Sequence, residues 1–164
     1  MKEARGALEH SAVRVVAYCD TYAEAFARLN LDWIEEYFEI EDLDLKYLED
    51  PRGTIVAPGG EVFFVVDGDT VLGTCAMIRR GPESYEMAKM AVAKNARGRG
   101  LGKLLMETCI DYARKKRARR VRLVSNTMLE PAIRLYEKCG FKTTRLGEDP
   151  HYQRGDIEMT LELG

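Results

Sequence analysis

The chain is poor in the residues that staple small folds or hold metals. Its four cysteines stand far apart, at positions 19, 75, 109 and 139, with no C-x-x-C spacing. They sit within apolar segments, as buried reduced thiols do, which argues against a disulfide framework and for a reducing compartment. Only two histidines occur, His10 and His151, so no metal site is expected. No local pattern marks any cysteine as a nucleophile. No run approaches the ~18 apolar residues that cross a bilayer. The charged start (Lys2, Glu3, Arg5, Glu9) lacks the apolar stretch of a signal peptide. A cytoplasmic protein that makes no use of a membrane is the expectation. Repeats, low-complexity tracts and linkers are also lacking, so residues 1–164 are expected to form one domain, long enough to bury a core unaided.

Charge is present in both signs but unevenly placed. Between Asp32 and Asp50 there are nine acids against the single base Lys46; between Lys94 and Arg122 there are eleven bases against Glu107 and Asp111. One region should attract cations and another anions.

Strand and helix patterns alternate along the chain. Val13 to Tyr18 reads as a β-branched strand, and Phe26, Leu29, Trp33, Ile34 and Tyr37 recur at helical spacing behind a capping-box pair, Thr21 and Glu24. Leu43 to Leu48 predicts a short helix ending before Pro51. Val62 to Val66 and Val71 to Ile78 flank Asp67-Gly68, a hairpin signal. After the Gly81-Pro82 break, Tyr85 to Val92 forms the next strand. Gly100 to about Arg117 is an amphipathic helix with Leu101, Leu104, Leu105, Cys109, Tyr112 and Ala113 on one stripe. Val121 to Ser125 is a strand, and Thr127 with Glu130 suggests a second capping box before a helix that Gly140 ends. Residues 145–155 read as loop and 156–163 as a last strand. The pattern predicts an α/β domain with a mixed sheet.

The segment most suggestive of chemistry is Lys94-Asn95-Ala96-Arg97-Gly98-Arg99-Gly100-Leu101-Gly102-Lys103, which follows a strand and opens the amphipathic helix. Glycines let a ligand approach the backbone, helix-start N–H groups favour anions, and three cations surround them. Such a loop suits a pyrophosphate; a solvated basic loop is the other reading. The Walker spacing G-x-x-x-x-G-K-S/T is absent, and G-x-G-x-G at mid-chain does not match the dinucleotide fingerprint G-x-G-x-x-G.

Arg97-Gly98-Arg99-Gly100-Leu101-Gly102 resembles the (Gln/Arg)-x-x-Gly-x-(Gly/Ala) loop of the GNAT superfamily of acyl-CoA N-acyltransferases. Tyr85 to Val92 looks like that family's central strand. Asn126, followed by Ala132-Ile133-Arg134-Leu135-Tyr136-Glu137-Lys138-Cys139-Gly140-Phe141, is similar to its N…A-x-x-L-Y-E-K-x-G-F segment. The resemblance runs over about residues 62–144, in the family's order. It implies a mixed, mostly antiparallel sheet flanked by helices, with a central strand splayed to form a slot for the pantetheine arm of acetyl-CoA or a short acyl-CoA.

Several residues then become candidates. The uneven alternation of Met87, Ala88, Met90, Ala91 and Val92 predicts a β-bulge near Lys89-Met90. The resemblance places cofactor contacts on the backbone of Met90, Ala91 and Val92. To these it adds the loop Arg97, Gly98, Arg99, Gly100, Leu101, Gly102 and Lys103, and Asn126, which in helix terms alone would be a cap. Tyr136 has the spacing of a core residue, but a phenol beside the cofactor sulfur can protonate a departing thiolate, the role the resemblance gives it. Glu86, on the central strand, is the candidate base for an ammonium acceptor, or else a paired glutamate. Trp33 and Tyr37 are candidate acceptor-site residues or simple core. The acids between Asp32 and Asp50 suggest an acceptor that arrives as a cation.

The reading is an N-acetyltransferase that passes an acetyl group from acetyl-CoA directly to a primary amine of a small molecule or peptide, without a metal, as a monomer or homodimer. A non-catalytic acyl-CoA sensor remains as an alternative. So does a nucleic-acid-binding module using the basic run 115–120, though that run has no interleaved aromatics and nucleic acid is not expected as a partner.

Overall fold

A computed structural model of the chain describes residues 12–164; the charged start and His10 lie outside them. Seven strands form one sheet: β1 (Val13–Ala17), β2 (Glu61–Asp67), β3 (Thr70–Gly81), β4 (Ser84–Val92), β5 (Arg120–Ser125), β6 (Lys142–Leu146) and β7 (Ile157–Glu162). Their order is β1-β2-β3-β4-β5-β7-β6, antiparallel throughout except between β4 and β5. That parallel pair needs a crossover, supplied by helix α3 (Leu101–Lys115). The other helices are α1 (Ala23–Tyr37), α2 (Asp42–Glu49) and α4 (Glu130–Lys138). The fold is mixed α/β, as expected.

Period-two alternation along β2 sends Val62, Phe64 and Val66 to one face and Phe63 and Val65 to the other. On the first face α1 and α2 cover the sheet with Phe26, Ile34, Tyr47 and Leu48. On the second, α3 contributes Leu105, Met106 and Cys109 against Met77, Val121 and Met159, with Ile133 and Tyr136 of α4 packed alongside. Cys75 and Cys109 are fully buried within this second layer.

Helix starts differ from the expected caps. A 3₁₀ turn, Asp20–Tyr22, precedes α1, which begins without any side-chain cap, so Thr21 and Glu24 form no capping box. Thr127 does not cap α4 either: both its N–H and its hydroxyl donate to Asp156, and the helix starts at Glu130 with Pro131 in its first turn. The real box is Glu41 with Asp44 at the start of α2. Both members of that pair are carboxylates, so the usual Ser/Thr pattern of a capping box does not mark it. The stretch read as loop after residue 145 is shorter than expected, because Lys142 to Leu146 pairs with β7 as an edge strand. Among the described residues no helix is long and apolar enough to cross a membrane.

Candidate active site

The parallel pairing of β4 with β5 covers only Ser84, Glu86 and the residue between them, against Arg120, Arg122 and Val121. Beyond it the strands part: among the described residues β4 from Met87 to Val92 has no strand partner on the side facing β5, and β5 from Leu123 to Ser125 none on the side facing β4. A strand edge with unpaired N–H and C=O groups is a template for an extended ligand.

The parting is built into β4. On β3 the register moves two residues, from Thr74 to Ala76, while on β4 it moves three, from Ala91 to Ala88. The extra residue is a β-bulge, at the place the alternation predicted, and Lys89 adopts φ 55° within it. Left-handed backbone in a long-chain residue is uncommon and needs surroundings that fix it. They are here: the Lys89 side chain is 4% exposed and ion-paired to Asp44 of α2.

The resulting cleft holds about 800 Å³, part of it open to solvent, and is walled by the parted strands, α1 and the segment before β7. Trp33, Glu86, Met90, Asn126 and Tyr136 line it; Tyr37 does not, being 42% exposed with its ring against Trp33. Tyr136 is half-buried, and burial pushes its hydroxyl up to about 12, so it is a protonated donor at neutral pH. Glu86 is 4% exposed, and both Arg80 and Arg122 donate to its Oε1, at 3.0 and 3.2 Å. Oε2 receives no bond among the described residues. No buried side-chain oxygen there lacks a partner, so Oε2 touches solvent. Asn126 is engaged by protein: its Nδ2 donates to the Arg154 carbonyl at 2.7 Å and its Oδ1 accepts from the Met128 N–H.

At one end of the parted edge lies the glycine loop. Gly98 and Gly100 both have φ 78°, which a side chain would strain, and neither would place a Cβ within 4 Å of anything. Gly100 is the N-cap of α3 without a side-chain bond, and the first helical bond is Leu104 N–H to Gly100 C=O. The N–H groups before Leu104 thus face outward at the positive end of a fifteen-residue helix. Arg99 is exposed, and Lys103 pairs only loosely with Glu107 at 3.7 Å. Arg97 instead turns back onto α1, donating to both carboxylate oxygens of Glu36 and to the Val92 carbonyl.

Beside the cleft lies a cluster that the sequence reading did not find. Asp44, completely buried, accepts from Lys89, from both Nη1 and Nη2 of Arg154, and from the Glu41 N–H. Burial works against its charge, but the bonds and charges of Arg154 and Lys89 prevail and hold the carboxyl at about 2. Burial also lowers Lys89, with Asp44 acting in opposition. Tyr152, which accepts from Lys89 at 3.0 Å, lies under both cations, 4.8 Å from Lys89 Nζ and 4.7 Å from Arg154 Cζ. The signal for this cluster was Lys89 itself, the one charge in Met87 to Val92. The acidic segment is also partly consumed by ion pairs: Glu36 takes Arg97 and Lys94, while Glu41 and Asp44 take Arg154. Among the described residues no group of His, Cys, Asp and Glu is arranged to hold a metal ion.

Proteins of known family resemble this chain in sequence or in fold. The chain is 28% identical to an uncharacterized N-acetyltransferase of Bacillus subtilis over 125 residues, 73% of this chain and 81% of that one. It is 32% identical to an uncharacterized N-acetyltransferase of Schizosaccharomyces pombe over 142 residues, 79% and 84% of the two chains. A GNAT-family acetyltransferase structure from Staphylococcus aureus superimposes with a TM-score of 0.84 at 19% identity, covering 93% of this chain and 99% of that one. A spermidine N-acetyltransferase from Vibrio cholerae, in complex with CoA and spermine, gives a TM-score of 0.71 at 21% identity and covers 93% and 96%. Residues 18–141 match the family model for the acetyltransferase (GNAT) family, so the chain belongs to that family and is an acyltransferase.

Proposed function

We propose that this protein, as a single cytoplasmic domain over residues 1–164, transfers an acetyl group from acetyl-CoA to a primary amine of a small molecule or peptide. The observation that carries this reading is the parting of β4 and β5 beyond Glu86 and Arg122, which leaves an open strand edge leading to the uncapped start of α3. The residues present fit the cofactor. The edge of Met90, Ala91 and Val92 offers backbone partners for the pantetheine amides. The N–H groups from Gly98 to Lys103, with Arg99 and Lys103 nearby, suit a pyrophosphate, and the glycines leave it open space. Arg97 contributes by holding the loop against α1, and Asn126 by fixing the segment that carries Arg154.

Acetyl-CoA supplies an activated thioester, whose acyl carbon bonds to the amine nitrogen as its bond to sulfur breaks and a thiolate leaves. The protein's part is positional and protonic. Glu86 Oε2 is the group facing the cleft that can take the proton an ammonium must lose, while Oε1 stays fixed by two arginines. The Tyr136 hydroxyl is the donor for the departing sulfur; its raised pKa keeps the proton on it until negative charge develops nearby. Trp33 packs on the acceptor side.

The test is thiol release from acetyl-CoA across a panel of amines, with products identified by mass, for the wild type and Tyr136→Phe. The expected result is an acetylated amine. Its turnover should fall about a hundredfold in the variant with acetyl-CoA affinity nearly unchanged, since the ring and its packing are kept. Equal turnover in both proteins, with chemistry rate-limiting, removes Tyr136 from the reaction.

A further inference from the structure

We infer that the amine acceptor carries a carboxylate, as an amino acid does, and that Arg154 is the residue that recognises it. This rests on the reading of the cleft as an amine acetylation site and names the class of amine.

A guanidinium has two edges on which it can donate a parallel pair of hydrogen bonds: the end, Nη1 with Nη2, and the side, Nε with the remaining Nη2 hydrogen. In Arg154 the end is taken by Asp44, and Nη1 also reaches Glu41 at 3.2 Å. The side edge has no acceptor among the described residues. Nε cannot be buried, because no buried side-chain nitrogen there lacks a partner. Arg154 lines the cleft with its side chain 16% exposed. A ligand in the cleft thus meets an arginine of fixed orientation whose one unoccupied donor edge is carboxylate-shaped. Asp44 holds its other edge, the Tyr152 ring stacks beneath it, and Asn126 ties its carbonyl.

The charges around the cleft point the same way. Lys89 adds a second cation beside Arg154. The carboxylate that neutralises both, Asp44, is fully buried and already accepts four hydrogen bonds. The only carboxylate lining the cleft among the described residues is Glu86, and only its Oε2 is open. The cleft thus presents one carboxylate oxygen and one guanidinium edge, complementary to a molecule bearing one amine and one carboxylate. A polyamine would satisfy Glu86 but would set further positive charge against Lys89 and Arg154. The acids of the segment from Asp32 to Asp50 do not alter this: none of them lines the cleft, and Glu36, Glu41 and Asp44 are already spent on Arg97, Arg154 and Lys89.

The experiment uses matched pairs differing only in the carboxylate: leucine against isopentylamine, phenylalanine against phenethylamine, and serine against ethanolamine. For the pair member that turns over best, kcat/KM with acetyl-CoA should be about a hundredfold higher for the amino acid, because a site built to bond a polar group rejects the analogue that lacks it. In Arg154→Lys the ratio should collapse, mainly through KM. Decarboxylated amines that serve as well as the amino acids overturn the inference while leaving the acetyltransferase reading intact.

A second measurement needs neither turnover nor a variant that must fold. The wild-type protein saturated with CoA is titrated with N-acetyl-leucine, N-acetyl-phenylalanine and N-acetyl-serine, and with the three N-acetylated amines. At least one acetylated amino acid should bind about tenfold or more tightly than its counterpart, and raised salt should weaken that preference. Equal binding, or binding by none of the six, overturns the inference. If the carboxylates bind but no amine is ever acetylated, the acetyltransferase reading fails and takes with it the claim that the carboxylate belongs to an acceptor, leaving only a carboxylate site at Arg154.

Discussion

Asp44 shows how one buried carboxylate ties the acceptor side of the molecule together. It joins α2, the β4 bulge and the segment before β7 through Lys89 and Arg154, and its carboxyl is held at about 2 instead of its ordinary 3.8. A depressed carboxyl pKa contributes stability that is fully present above the unfolded value and is lost as pH falls through the folded one. From pH 4 down to 2, unfolding free energy should drop by about 2 kcal/mol on this group's account. Denaturant titrations at stepped pH will show it, and in Asp44→Asn that share of the slope should vanish. The variant should also be about 3 kcal/mol less stable at pH 7, since two buried cations lose their counter-charge. An unchanged acid slope would mean that Asp44 is not the group that titrates. None of this was visible in the sequence, where Asp44 was one of nine acids in a run. Two partners from distant segments, Lys89 and Arg154, choose it, and only the tertiary structure brings them together.

Among the elements, the start of α3 was the most legible in the sequence and the start of α4 the least. Glycines at 98 and 100 are demanded by positive φ, and the strand–loop–helix order around them is local information. Thr127 and Asn126 were offered helix-capping roles on local grounds, but Asp156 and Arg154 take them instead, from the far side of β5. The bulge was legible in part. Broken alternation located it, whereas its cause, a buried Lys89 drawn across to α2, depends on a contact 45 residues away. The loop permits a clean separation of fold from binding. Gly102 has ordinary helical backbone, and a Cβ there would sit 3.7 Å from Leu135, a normal contact. Gly102→Glu should therefore fold with nearly unchanged thermal stability while CoA affinity falls by at least about tenfold, because a negative charge enters the helix start. Calorimetric titration of CoA into the folded variant checks this. Undiminished affinity would move the pyrophosphate elsewhere.

In the whole molecule, one irregularity in a mostly antiparallel sheet creates the site. The alternation of strands and helices in a mixed sheet followed from the sequence patterns, whereas the strand order, the edge strand β6 and the parallel β4–β5 pair came only with the structure. That those strands part was not readable from periodicity and came with the resemblance; how briefly they pair, from Ser84 to Glu86, came only with the structure. The central claim is that the open edge of β4 and the start of α3 together form the acyl-CoA site. Amide chemical shifts of the labelled protein, followed during titration with CoA, test it most directly. The account predicts saturable changes at Met90 to Val92 and Gly98 to Lys103, with β1 and the β2–β3 turn unmoved. Saturable changes confined instead to a second cavity, lined by Arg28, Asp32, Thr70 and Leu72, or no change at all, would contradict it.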